Sequence, residues 1–393
     1  MISYLDNGAT TPLCQPAYEA MKQVAENTFG NPSSLHTLGM EAESVVEKAR
    51  QSVMAAFQKQ KLGDARKPEQ IVFTSGGTEA NNLALLGTAL SKSRFAGKTI
   101  LVGESEHASV SACADHLEVL GFRIVRIPSP NGVWDMDSYR AALDKNVILV
   151  SAMLVNNETG ALHQAEEIVR VAHEVSPDIL VHIDAVQAFC KFVLPRCPGA
   201  DLVSVSSHKI GGPKGVGALY LSERVLKTKS ISPVLFGGGQ ENALRSGTEN
   251  VIGIAGFGAA ADYYISHVSD HSRHFTDLRA YLEERLKELP ENSVRINEPV
   301  SRVDYIVSLT VFGIRSETVL HALSASGVYV SAGSACSSNT HHASAALASF
   351  GLSDADAECT VRVSFGIQNT KEDIDALIAG LADGISHLAK KRR

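Results

Sequence analysis

Three short polar segments carry the residues best suited to chemistry. Thr74-Ser75-Gly76-Gly77-Thr78-Glu79-Ala80-Asn81-Asn82 combines glycines with a threonine ahead of a helical pattern, so free N–H groups and the Thr78 hydroxyl could hold a phosphate. His182-Ile183-Asp184-Ala185-Val186-Gln187 offers a carboxylate with an amide three residues on. Ser206-Ser207-His208-Lys209, followed by Gly211-Gly212-Pro213-Lys214-Gly215, offers a primary amine, which attacks carbonyls and forms Schiff bases. Each alone has a plain structural account: a capped strand-to-helix turn, a polar loop, a solvated lysine.

What joins them is the set of elements that must position them. Short apolar runs at Gln70–Phe73, Thr99–Gly103, Arg123–Ile127, Val147–Met153, Ile179–Ile183, Leu202–Val205 and Gly217–Leu221 alternate with helix-period segments, the pattern of a mostly parallel, seven-stranded sheet covered by helices. Residues 40–57 keep Ala42, Val45, Val46, Ala49, Val53, Ala56 and Phe57 on one helical stripe. In an open α/β sheet, ligands bind beyond the carboxyl ends of the strands. A phosphate cradle, an acid, an amide and a lysine thus converge on one edge, and together they are what pyridoxal phosphate requires. A nucleotide is the competing ligand, but neither GxGxxG nor GxxxxGK[ST] occurs.

Beyond residue 260 the chain changes to charged amphipathic helices and short strands, notably Asp304–Phe312 and Cys359–Phe365. The expected division is a large cofactor domain over 14–260 and a small α+β domain from 1–13 and 261–393. The last helix starts near Thr370-Lys371-Glu372-Asp373, close to a capping box, with Ile374, Leu377, Ile378, Leu381, Ile385 and Leu388 on one face.

Composition narrows the function classes. The 393 residues are 44% hydrophobic, enough for a large core, and the net charge of −7 with mixed signs leaves no footprint for nucleic acid or an anionic membrane. No apolar stretch reaches membrane-spanning length and the start lacks a signal peptide, so a cytoplasmic protein is expected. Six scattered cysteines without a CxxC pair suggest neither a disulfide framework nor a zinc site and fit a reducing compartment. His341-His342 lacks a carboxylate or cysteine partner, and no metal is expected. Cys336 alone sits among small and polar residues, Ser331-Ala332-Gly333-Ser334-Ala335-Cys336-Ser337-Ser338-Asn339-Thr340, a setting for an accessible thiolate.

The ordered blocks resemble the cysteine desulfurases, within the class V aminotransferase-like pyridoxal-phosphate enzymes. The resemblance runs from Tyr4-Leu5-Asp6-Asn7-Gly8-Ala9-Thr10-Thr11-Pro12 through Gly30-Asn31-Pro32-Ser33-Ser34-Leu35-His36, Glu106-His107 and Val155-Asn156-Asn157-Glu158-Thr159-Gly160. It continues in Ser206-Ser207-His208-Lys209, Arg245-Ser246-Gly247-Thr248-Glu249-Asn250, Ser334-Ala335-Cys336 and Val361-Arg362-Val363-Ser364. Asn242-Ala243 departs from the Arg-Gly or Lys-Gly often found before the Leu-Arg-Ser-Gly-Thr block.

The resemblance implies an aspartate-aminotransferase-like fold and a homodimer that turns L-cysteine into L-alanine, leaving the sulfur on Cys336 as a persulfide. It makes Lys209 the Schiff-base lysine and proton shuttle, Asp184 the partner of the pyridine nitrogen, Gln187 that of the ring's phenolic oxygen, and His107 the imidazole over the ring. Gly77, Thr78, Ser206 and His208 would hold the phosphate, with Thr248 reaching in from the partner subunit. Asn157 would contact substrate or ring, and Arg362 would clamp the substrate carboxylate. A sulfur-acceptor protein would dock near the Cys336 loop, for iron–sulfur cluster assembly or thiolation. Two rivals remain open: a selenocysteine lyase or other class V aminotransferase-like enzyme, and a sulfur-carrier or assembly scaffold with a degenerate site.

Overall fold

A computed structural model describes residues 2–91, 97–194, 197, 199–332 and 344–388. Its strands are β1 Ser3–Tyr4, β2 Ile71–Thr74, β3 Thr99–Gly103, β4 Arg123–Ile127, β5 Val147–Met153, β6 Leu180–Asp184, β7 Leu202–Ser206 and β8 Gly217–Leu221. They continue with β9 Val294–Ile296, β10 Ile306–Val311, β11 Val328–Tyr329, β12 Ser331–Ala332 and β13 Thr360–Ser364. The large sheet has seven strands in the order β2-β8-β7-β6-β5-β3-β4. Its strands β4, β3, β5, β6 and β7 run parallel, and β8 lies antiparallel to both β7 and β2. Each expected strand is present, although β6 and β7 run one residue further and make Asp184 and Ser206 their last members.

Strand periodicity sorts the core into two layers. Ile100, Val102, Leu149, Leu202 and Leu219 point into one cluster with Leu83, Val110 and Leu117, from the helices Gly77–Ala89 and Ala108–Val119. Their neighbours Leu101, Val150, Val203 and Ala218 point to the other face, against Val46, Val53, Phe57, Ile168 and Phe257. Val46, Val53 and Phe57 belong to the helix Thr37–Gln60, which starts three residues before the expected stripe, where the His36 side chain accepts the Gly39 N–H. The helix Val251–Ser266 packs on it closely: a Cβ on Gly258 would stand 2.7 Å from the Ala49 Cα.

A four-stranded antiparallel sheet, ordered β12-β13-β10-β9, forms beyond residue 290, while β1 pairs in parallel with β11. The final helix, Lys371–Leu388, is introduced by Asp373, whose Oδ2 accepts the Thr370 N–H at 3.0 Å, and it buries Ile374, Leu377, Ile378 and Leu381. The N-terminal segment crosses from this sheet to the large one. Asn7 donates to the Ser364 carbonyl at 3.1 Å, the Gly8 N–H donates to Ser364 Oγ at 2.7 Å, and Thr11 Oγ1 donates to the His208 carbonyl at 2.9 Å.

The unusual Asn242-Ala243 pair lies in a strained turn, with Glu241, Asn242 and Ala243 at φ of 49°, 56° and 61°. Glu241 anchors it: its carboxylate accepts two hydrogen bonds from buried Arg50, at 2.7 and 2.9 Å, and one from the Phe73 N–H at 2.9 Å. Left-handed backbone costs alanine roughly 1–2 kcal/mol, part of which glycine gives back as chain entropy of the unfolded state. Ala243→Gly should therefore stabilise the fold by about 0.5–1 kcal/mol in denaturant unfolding, and a variant less stable than the parent would refute that account.

Candidate active site

At the carboxyl ends of β5, β6 and β7 lies a cavity of about 620 Å³. Its lining includes Gly77, Thr78, His107, Asn157, Asp184, Gln187, Ser206, His208, Lys209 and Arg362, so all of these sequence candidates share one space. Thr248 does not line it and is exposed. Its loop is tied to the cavity's edge by Arg245, whose Nε lies 2.9 Å from Glu79 Oε1. Cys336, His341 and His342 lie outside the described residues, but Ala332 and Ser344, on either side of that segment, both line the cavity. Among the described residues no cluster of side chains could hold a metal.

One end of the cavity could hold an anion. The helix Gly77–Ala89 begins from Gly76 without any side-chain cap, so Thr78 does not act as one and the first-turn N–H groups are left for a ligand. Ser206 Oγ is buried there with no hydrogen-bond partner among the described residues. A Cβ on Gly77 would meet Val186 at 2.6 Å, which explains the glycine. His208 beside it is pushed down to about 3 by burial and by Lys209, Lys191 and Lys214, so it serves as a neutral ring.

The centre holds the acid and the amine. Asp184 Oδ1 accepts the Val186 N–H at 2.9 Å, and Oδ2 accepts Asn81 Nδ2 at 2.7 Å. Lys209 Nζ donates to the carbonyls of Gly8 and Ala9 at 2.5 and 2.8 Å. His107 caps the helix Ala108–Val119, its Nδ1 accepting the Ser109 N–H at 3.1 Å, which leaves Nε2 to carry the ring proton. Burial pulls its pKa below the ordinary range, with Asp184 opposing and Lys209 reinforcing, so the imidazole is neutral.

At the far end stands a guanidinium that could hold a carboxylate. Arg362 on β13 donates Nη1 to the Asn157 carbonyl at 2.8 Å and Nη2 to Asp6 Oδ1 at 2.7 Å, while its buried Nε has no partner among the described residues. Asp6 also accepts from Ser331 Oγ at 2.7 Å, at the start of the segment leading to Cys336.

Sequence reasoning missed two carboxyls in this wall. Glu106 is raised well above the usual range by burial and by Asp184, and its Oε1 accepts the Met153 N–H at 2.7 Å. Glu158 is pushed up to about 7 by burial, against a Ser344 hydrogen bond and the Arg362 charge. Both stand inside blocks quoted above, and only the fold reveals that Glu106 is buried and Glu158 half-buried.

The family model for class-V aminotransferases matches residues 3–377. The cysteine desulfurase IscS of Dictyoglomus turgidum is 38% identical over 95% of this chain and 91% of its own length. That of Methanosarcina thermophila is 36% identical over 95% and 90%. Among solved structures, a NifS-like protein superposes with a TM-score of 0.89 at 31% identity, covering 99% of this chain and 100% of its own. A structure described as SspA in complex with cysteine superposes with a TM-score of 0.78 at 30% identity, covering 92% and 98%. With matches over nearly the full length in sequence and fold, and ten of its candidate residues gathered in one cavity, the chain belongs to the class-V aminotransferase family, in the cysteine desulfurase branch of these pyridoxal-phosphate enzymes.

Proposed function

We propose that this chain binds pyridoxal phosphate and transfers sulfur from L-cysteine to Cys336, giving L-alanine and a Cys336 persulfide. The observation that carries the reading is that Lys209, Asp184, His107 and Arg362 share a cavity whose rim is formed by the residues flanking the Cys336 segment. The residues fit the cofactor: an uncapped helix start and the Ser206 hydroxyl, without a partner among the described residues, would receive its phosphate, Asp184 its pyridine nitrogen, and Lys209 its aldehyde. Bound there, pyridoxal phosphate supplies an electron sink that makes the substrate Cα proton removable.

The chain's own residues then do the following. Arg362 holds the substrate carboxylate, with Nε available as a further donor, and a guanidinium is suited to that two-point grip. Lys209 moves the proton at Cα, and the neutral His107 ring exchanges protons above it. Cys336 attacks the substrate Sγ as thiolate; the C–S bond breaks, an S–S bond forms, and carbon leaves as alanine once it gains a proton. An acceptor protein then collects the sulfur at the rim.

A second copy of the chain belongs to this reading. Thr248 lies outside its own cavity, and Phe29, Leu35 and Phe236 stand 81%, 96% and 83% exposed, apolar surface of the kind an interface covers. The purified chain should be yellow, sediment as a dimer, and release alanine from L-cysteine in step with sulfane sulfur. A colourless protein that cannot be reconstituted, or one that releases no alanine, would overturn the reading.

A further inference from the structure

Lysine is rarely buried, and burial without a carboxylate partner penalises its charge. Lys191 is nevertheless only 5% exposed, and among the described residues it has no ion pair. Its Nζ donates to Gln187 Oε1 at 2.9 Å and lies 5.1 Å from the centre of the Tyr305 ring. The surrounding charges are Lys209 and Arg362, which, after burial itself, lower its pKa well below the ordinary value. Neither offsets the cost of burial, so the compensation comes from the amide and the ring.

The backbone is shaped for this contact. After β6 the chain turns, with the Ala188 and Phe189 N–H groups both bonded to the Ala185 carbonyl. Cys190 takes φ of 60°, held by its N–H on Gln60 Oε1 at 2.8 Å. Lys191 is thereby brought back onto the residue four positions earlier. Tyr305, just ahead of β10, fixes the same turn, its hydroxyl donating to the Gln187 carbonyl at 2.7 Å.

An amide has a donor end and an acceptor end, and an ammonium or amine that donates to Oε1 decides which faces where. With Oε1 held by Lys191, Nε2 faces the Gly8 carbonyl at 2.8 Å, the same oxygen that receives Lys209 Nζ. The Gln187 donor therefore stands beside the amine that would carry the cofactor. We propose that Lys191 is a positioning residue: it locks the Gln187 amide in the orientation that presents a donor to the cofactor's ring oxygen. This rests on the cofactor reading above.

The test reads the pH midpoint of the cofactor's long-wavelength absorbance in the purified holoenzyme. A donor at the ring oxygen stabilises negative charge there and eases loss of the neighbouring proton. Without it the midpoint should rise, by about one pH unit, the size expected for one hydrogen bond to a charged group. Lys191→Met should show this rise, and so should Gln187→Ala. Adding Lys191→Met to Gln187→Ala should move the midpoint no further, because both act through one amide. Lys191→Leu is a second variant with the same expectation. An unmoved midpoint in a folded, yellow Lys191 variant overturns the proposal, as does an equal further shift in the double variant, which would mean a direct field effect. Failure of both Lys191 variants to fold would assign the lysine to the core and also overturn it. A wild type that binds no cofactor would instead fail the cofactor reading.

Discussion

Lys209→Ala should abolish alanine formation from L-cysteine, with a loss of several powers of ten, because covalent attachment of the cofactor and proton movement at Cα reside in one amine. The fold should survive. Of the carbonyls that Lys209 serves, Gly8 keeps its bond from Gln187 Nε2 at 2.8 Å and Ala9 is exposed to water, so the stability change should stay within about 1 kcal/mol. Lys209→Arg separates charge from nucleophilicity: it keeps a cation near the same carbonyls but cannot link to an aldehyde, and it should be as inactive as the alanine variant. Borohydride should fix cofactor to the wild type and to neither variant. Alanine release by either variant at a rate near the parent's would place the reactive amine elsewhere.

The sheet was readable from sequence because six of its seven strands, all but the edge strand β4, are buried at every position and end in abrupt polar segments. Val147–Met153 is buried at every position, and a run of that kind between helix-period stretches has few other accounts. The site was readable where chemistry and strand ends coincide, as at Asp184 and at Ser206 to Lys209. It was unreadable where a role depends on burial or on distant pairing. Lys191 reads as a surface lysine until Tyr305, more than a hundred residues away, is packed beneath it. Glu158 gains its raised pKa from burial, which outweighs the opposing Ser344 hydrogen bond and Arg362 charge, groups that the chain brings together only in three dimensions. The Asp6 contact with Arg362 is of the same kind, since β13 meets the N-terminal segment at the isolated pairing of Asp6 with Ser364.

Cys336→Ser should separate cofactor chemistry from sulfur chemistry. None of the cavity's described binding groups is Cys336, so the variant should remain folded and yellow and should still change its spectrum when L-cysteine is added. Alanine release should nonetheless fall by roughly a thousandfold or more, since a serine hydroxyl is a poor nucleophile toward divalent sulfur. No other cysteine is placed to substitute. Burial raises the thiols of Cys14, Cys113, Cys190, Cys197 and Cys359, Cys113 to about 11 and Cys197 to about 12, which starves them of thiolate at neutral pH. None of the five lines the cavity. Cys336, by contrast, follows the cavity-lining Ala332 by only four residues in the sequence. Mass spectrometry after brief exposure of the wild type to L-cysteine should find one added sulfur on Cys336 and none on the other five. A Cys336→Ser variant that keeps its rate, or an added sulfur found on another cysteine, would assign the nucleophile elsewhere. A variant that keeps most of its turnover of selenocysteine while losing that of cysteine would point to the lyase rival, because selenium leaves carbon with less help from a thiolate than sulfur needs.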